Sequence, residues 1–199
     1  VVTTNDENLA QRVRQLSVHG MPERYLHTEL GYNSRLDAIQ AAILNVKLPR
    51  LLEWVQDREN IALRYKESLQ KLPGLELPEG PNSLTSKHAW NQFVIKVSNF
   101  SGGGSQHEFQ VNERQKIESP SESCRDLLKK KLEDVGVRTI IYYPIPIHLQ
   151  PAYKKLGYNF GSLPVTEKIS NQVLSLPIYP EISEAEQDYV VDSIKKTFE

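Results

Sequence analysis

Two stretches decide how this chain is read. Residues 31–42 run Gly31-Tyr32-Asn33-Ser34-Arg35-Leu36-Asp37-Ala38-Ile39-Gln40-Ala41-Ala42, and residues 142–153 run Tyr142-Tyr143-Pro144-Ile145-Pro146-Ile147-His148-Leu149-Gln150-Pro151-Ala152-Tyr153. In the first, polar side chains crowd the point where a loop becomes a helix. A helix start exposes unpaired amides and a positive dipole end, both favourable to phosphate. Asn33 adds an amide donor there, and Arg35 adds a two-pronged cation for carboxylate or phosphate. The same residues also suit a plainer role, with Asn33 or Ser34 as an N-cap and Arg35–Asp37 as a surface pair. In the second stretch, Pro144 and Pro146 stiffen a loop that presents two phenols and the His148 imidazole together. From the residues alone, packed aromatics and a structural hydrogen bond for His148 are equally open.

Working outward from the first stretch, Val1 to Thr4 reads as a short strand. Thr4-x-x-Glu7 is a capping-box pattern ahead of Leu9, Val13 and Leu16 at helical spacing. Gly20 closes that helix, and residues 20–33 read as a loop in which His19 and Gly20 stand at the entry. A long helical region starts at Ser34, and Pro49 should kink it or open a new helix. Leu51, Val55, Ala62, Tyr65 and Leu69 then form an apolar stripe with Arg58 as the exception, and Pro73-Gly74 stops it.

Around the second stretch the pattern is mixed. From His88 to Phe100 the period is two, with Phe93, Ile95 and Val97 alternating with Val94 and Lys96. Residues 101–123 are polar and hold Gly102-Gly103-Gly104, the composition of a flexible insertion. Leu128, Leu132 and Val135 share a helix face closed by Gly136, with Cys124 as a small buried hydrophobe on the same face. Val137 to Tyr143 is β-rich. Pro151–Leu156 and Pro164–Leu174 read as short helices opened by proline. Ser183-x-x-Glu186 caps a last helix with Val190, Ile194 and Phe198 on its apolar side. Helix dominates the first 72 residues and strands gather later, which gives an α/β module with a helical arm.

Composition removes several classes of function. The 199 residues carry a formal net charge of -1, so a nucleic-acid tail or polybasic anchor is not expected. No apolar run approaches the roughly 20 residues of a membrane helix, and no signal peptide is visible. The single cysteine fits a reducing, cytoplasmic setting. The five histidines share no His-x-x-x-His spacing, so no metal site is expected. Phosphate-loop, dinucleotide-binding and serine-elbow motifs are absent. Trp54 and Trp90 read as packing residues. A chain that opens on Val1, mid-strand, is expected to be a fragment.

The two stretches, together with Val1–Ala10, Val18–Met21, Leu156-Gly157-Tyr158 and Leu174–Pro180 (LSLPIYP), resemble the DegT/DnrJ/StrS family of sugar aminotransferases. The resemblance covers nearly the whole chain except residues 101–123. It implies a fold-type I enzyme dependent on pyridoxal 5'-phosphate (PLP). Residues 1–72 would be the end of the large domain with its interdomain helices. Residues 73–199 would be the C-terminal small α/β domain, a small mixed or antiparallel sheet packed by helices, with the insertion at 101–123. It also implies a homodimer that transfers an amino group, usually from glutamate, to a keto sugar on a nucleotide, for amino-sugar or polysaccharide synthesis.

On this resemblance Asn33 reaches the PLP phosphate of the other subunit and Arg35 lies near cofactor or substrate. Tyr143 and His148 line the sugar-nucleotide pocket, with Tyr32 as a further contact. The family's Schiff-base lysine and its pyridine-pairing aspartate fall before Val1, so this stretch alone is expected to be inactive, with no catalytic residue of its own. Relatives with histidine at the lysine position are sugar dehydratases. That reading stays open, as does a non-catalytic dimerisation or regulatory fragment.

Overall fold

A computed structural model describes residues 2–80, 87–98, 110–111, 117–118 and 123–199. It divides into two compact units, residues 1–51 and 52–199. The division falls earlier than the 72/73 boundary expected above, because the third helix buries its C-terminal half in the core of the second unit.

The first unit begins with α1 (Glu7–Ser17). Asp6, not Thr4, is its N-cap: the Asp6 side chain accepts from the Leu9 amide, while Thr4 Oγ1 takes the Asp6 amide. Residues 2–4 form no strand. The chain then folds back on α1, and α2 (Ala38–Lys47) follows. The helix expected from Ser34 therefore starts four residues later. Asp37 is its cap, and the Asp37 amide donates to Gln40 Oε1 at 3.0 Å. Pro49 occupies a short 3₁₀ turn, Leu48–Arg50, where its fixed φ is tolerated and no helical hydrogen bond is lost.

The second unit is built on α3 (Leu51–Leu69) and a three-stranded antiparallel sheet. The strands are β1 (Leu75–Glu76), β2 (Phe93–Val97) and β5 (Val173–Leu176), in the order β1-β2-β5. Phe93 pairs with Leu176, Ile95 with Leu174, and Leu75 with Val97. Alternation decides the faces as expected: Phe93, Ile95 and Val97 are buried, while Val94 and Lys96 are half-exposed. Two short strands, β3 (Gln110–Val111) and β4 (Ile117–Glu118), pair with each other. The insertion expected at 101–123 otherwise lies outside the described residues, apart from Ser123.

Helices close over this sheet. The α3 stripe is buried from Ile61 onward, through Ala62, Tyr65 and Leu69, while Leu51 at its start is exposed. Arg58, the exception in the stripe, donates its Nε to the Ala89 carbonyl at 2.8 Å. Helix α4 (Cys124–Asp134) is capped by Ser123 and buries Cys124, Leu128 and Leu132; Val135 is the C-cap and stays exposed. Its Arg125 is also buried: Nε pairs with Asp126 at 2.7 Å, and Nη1 donates to the carbonyls of Ser170 and Val173, so the charge is satisfied just ahead of β5.

Helix α5 (Pro164–Ser170) is shorter than Pro164–Leu174, because Leu174 belongs to β5. Val137 to Tyr143 forms no strand. Its one ladder contact is the Ile140–Ser175 bridge, since Pro144 and Pro146 end the run. Helix α6 (Glu184–Phe198) has the expected Ser183/Glu186 capping box and buries Val190 and Ile194.

Tyr65 ties three elements together. Its ring stands 5.2 Å from that of Phe93, and its hydroxyl donates to the Pro177 carbonyl at 3.0 Å. Burial pushes the phenol up, so it remains a donor at every working pH. Phe93→Ala should cost about 3–5 kcal/mol through lost transfer energy and the cavity left behind. Tyr65→Phe should cost about 1 kcal/mol through the lost hydrogen bond. Denaturant midpoints of the complete protein would check both, and equal costs would contradict this packing.

Candidate functional site

The first unit shapes a corner. After α1 the chain turns through residues 18–33 and returns beside Ser17–His19. The His19 amide donates to the Tyr32 carbonyl at 2.9 Å, the Tyr32 amide to Leu16 at 2.7 Å, and the Ser34 amide to Ser17 at 2.9 Å. Val18 and Asn33 face each other across an isolated antiparallel bridge. Two glycines allow the close approach: a Cβ on Gly31 would strike the backbone of His19 and Gly20, and one on Gly20, at φ 70°, would strike Glu29. His27 Nδ1 lies 3.0 Å from the His19 carbonyl, and Arg12 pairs with Glu29, which closes the loop.

This return strap holds the backbone of Tyr32, Asn33 and Ser34 firmly and leaves their side chains at the surface. Tyr32 is 71% exposed, and Asn33 and Arg35 are exposed too. Arg35 meets Asp37 only loosely, at 3.5 Å. Asn33 is not a helix cap, because α2 starts at Ala38 and Asp37 fills that position. A carboxylate already occupies the positive end of α2, so any anion near the corner depends on the side chains rather than on the helix start.

The second unit shapes a strap of its own. Ile140 and Ser175 exchange backbone hydrogen bonds at 3.2 and 2.8 Å, which pins the start of the strap to β5. The Tyr142–Tyr143 peptide is cis, and the two rings meet edge to face at 5.5 Å. Pro144 and Pro146 lead into a 3₁₀ turn, Ile147–Leu149, and a longer one, Pro151–Leu156, ends at Gly157 with φ 81°. Tyr143 is 68% exposed. His148 is buried: Nε2 lies 2.8 Å from Glu167 Oε1, and Nδ1 has no partner among the described residues. The half-exposed Tyr158 ring stands edge-on to His148 at 6.3 Å.

Sequence reasoning missed Glu167. It takes the Gly161 amide at 2.9 Å, the Leu163 amide at 3.1 Å and the His148 ring, with only 5% of its side chain exposed. The signal was an acid in the first turn of a proline-opened helix, just after a glycine turn. Such an acid can collect the free amides that precede it. Burial alone would raise this carboxyl, but the Gly161 amide, the His148 ring and the Leu163 amide together hold it below the ordinary range.

The structure thus places Tyr32, Asn33 and Arg35 in the first unit and Tyr143 and His148 in the second. An exposed amide and guanidinium are able to donate to a phosphate or a carboxylate, and exposed phenols are able to contact a sugar or a base. Among the described residues, no helix is long and apolar enough to cross a membrane, and no group of histidine, cysteine and acidic side chains could hold a metal.

The sequence pattern of the DegT/DnrJ/EryC1/StrS aminotransferase family matches residues 1–195, and the chain belongs to that family. Its members work with pyridoxal phosphate. The chain is 37% identical to the Geobacillus stearothermophilus pleiotropic regulatory protein over 100% of its own length and 46% of that protein's. It is 33% identical to the dTDP-3-amino-3,4,6-trideoxy-alpha-D-glucose transaminase of Streptomyces venezuelae, over 98% of this chain and 44% of the relative. The crystal structure of S. venezuelae DesV in complex with a ketimine intermediate matches with a TM-score of 0.77 and 34% identity, over 99% of this chain and 46% of that one. The chain therefore spans about half the length of the curated relatives it matches.

Gly31→Ala should cost about 1–3 kcal/mol through overpacking and loosen the return strap, read as faster limited proteolysis within residues 18–33. For Glu167 the sign is set by its lowered folded-state value. Its contribution is fully present above the unfolded value and is lost as pH falls through the folded one. Wild type should have the higher thermal midpoint at neutral pH, and its lead over Glu167→Gln should shrink as pH falls below the ordinary glutamate value of about 4.3. A gap that stayed constant with pH would exclude the ionised hub.

Proposed function

We propose that the complete protein is a PLP-dependent aminotransferase that moves an amino group, from glutamate, onto a keto sugar carried by a nucleotide, in amino-sugar or polysaccharide synthesis. The observation that carries this reading is the family match across residues 1–195, which takes in both the corner and the strap. The S. venezuelae transaminase named above, whose name refers to a dTDP-linked amino sugar, supports the substrate class.

The corner fits the phosphate end of the cofactor. Asn33 and Arg35 would hold that phosphate through an amide and a guanidinium, and Tyr32 would be a further contact of the sugar nucleotide. When bound, PLP supplies the electron sink for the reaction. This chain's residues bind and orient: Tyr143 and His148 border the sugar nucleotide, and the proline-stiffened strap shields it from water. The second unit would serve as the small domain of a fold-type I enzyme.

A second copy of the chain would bring the corner to its cofactor. Helix α2 buries none of its residues, and Ile39, Ile43 and Val46 are exposed at 76, 54 and 75%. An apolar face of that kind calls for a cover, and a homodimer would provide one.

Asn33→Ala in the complete enzyme should weaken PLP retention by about 1.5–3 kcal/mol, the loss of one hydrogen bond to a charged group. Equilibrium dialysis of the cofactor measures it, and unchanged retention would remove Asn33 from the phosphate site. Visible absorbance of the PLP-loaded protein should change on adding L-glutamate, and a protein that stays colourless with PLP would refute the aminotransferase.

A further inference from the structure

We propose that Glu167 is a positioning residue of the nucleotide-sugar site: by holding His148, it fixes the strap that carries Tyr143. The proposal rests on the reading that this strap faces the sugar nucleotide.

Among the described residues, the hydrogen bonds of residues 142–158 are almost all local. Leu149 bonds back to Pro146, Gln150 to Ile147, Tyr153 to Gln150 and Gly157 to Lys154. The exception is His148, whose Nε2 reaches Glu167, nineteen residues on, at 2.8 Å. Hydrogen bonds thus fix the strap at two points, the Ile140–Ser175 bridge on β5 and the His148–Glu167 pair on α5, with Ile141 packed against the core between them. Tyr143 lies between them and is exposed, with its ring against that of Tyr142.

Glu167 is built as a rigid post. Its Oε2 takes the Gly161 amide at 2.9 Å, and Oε1 takes the amides of Leu163 and Gly161 at 3.1 Å together with the His148 ring. Four donated contacts on a carboxylate with 5% exposure leave it one orientation. The same contacts fix the 157–163 turn, so Tyr158 stands against the His148 ring as part of one assembly. A charge this fully committed stabilises the fold, but a fold-stabilising role alone could be filled by apolar packing. What the pair adds is directional. It orients an imidazole and, through it, the strap that presents Tyr143 between the anchors, as a supporting residue does for a binding group.

The test uses the complete, PLP-loaded enzyme. Calorimetry gives the Kd of dTDP-glucose and UDP-N-acetylglucosamine, and stopped-flow absorbance follows the amino-donor half-reaction with L-glutamate. Glu167→Gln keeps the shape but replaces one accepting oxygen with a donor. It should weaken binding of whichever probe the wild type takes by about tenfold, the scale of one misplaced polar contact. The glutamate half-reaction should keep its rate. Should Glu167→Gln not fold, Glu167→Asp, which keeps the charge at shorter reach, is read the same way.

A merely structural Glu167 would lower both readouts together or neither, and either result overturns the proposal. Tyr143→Phe and His148→Ala separate the two levels. If both bind the probe as wild type does, or if the wild type binds neither probe, the sugar-facing reading of the strap fails and this inference falls with it. If they weaken binding while Glu167→Gln does not, only the positioning role fails.

Discussion

Everything in the second unit depends on the burial of the Phe93-Ile95-Val97 face of β2. Those side chains are almost wholly removed from water, and the central strand can hold them there only while α3, α4 and α6 cover the sheet. A sheet of three short strands has little stability by itself. Its register is fixed by which face is apolar, because a slip of one residue would turn Val94 and Lys96 inward. Tyr65 adds direction to that burial. Its hydroxyl reaches the Pro177 carbonyl just beyond β5, so the helix is keyed to the strand that anchors the strap. Placement of Ser175, and of Ile140 opposite it, is inherited from hydrophobic pairing one strand away.

Buried charge then carries position from the sheet to the strap. Arg125 sits on the interior side of α4 and spends its guanidinium on two carbonyls at the join between α5 and β5. Glu167, on the same short helix, spends its carboxylate on two amides and on His148. Each charge would be costly alone, and each is satisfied by groups that the chain must bring to the same place. A helix of only seven residues has little stability of its own. Helix α5 is held instead by polar contacts at both ends, which is why it can serve as a fixed platform.

The sequence made some of this legible and hid the rest for physical reasons. Phe93, Ile95 and Val97 announced their strand by alternation, and Ser183 with Glu186 announced α6 by its capping chemistry. Both signals are local. The start of α2 was misplaced because Asn33, Ser34 and Asp37 are all competent caps, and the choice among them was made by the pairing of Asn33 with Val18, a contact fifteen residues away. Val137 to Tyr143 has strand-forming residues, yet prolines and the neighbouring topology allow a single bridge. The corner and strap were visible as dense clusters of unusual residues. Glu167 was not, because an acid in a first helical turn looks the same whether it faces solvent or collects three donors from the chain around it.

The first unit follows a different logic. Its return strap is defined by backbone geometry, with Gly20 and Gly31 permitting an approach that any Cβ would block. Its helices bury almost nothing: neither α1 nor α2 has a buried residue. An isolated helix of ten residues is marginal in water even with good helix formers, because nucleation is costly and packing normally supplies the balance. Ile39, Ile43 and Val46 give α2 a surface with little reason to be apolar unless it meets another surface. The return strap presents Asn33 and Arg35 just before that helix, so whatever covered α2 would also come close to the two side chains. A partner that covered the helix would also cover Asn33 and Arg35, and burial of the apolar face would offset the entropy of ordering the exposed amide and guanidinium.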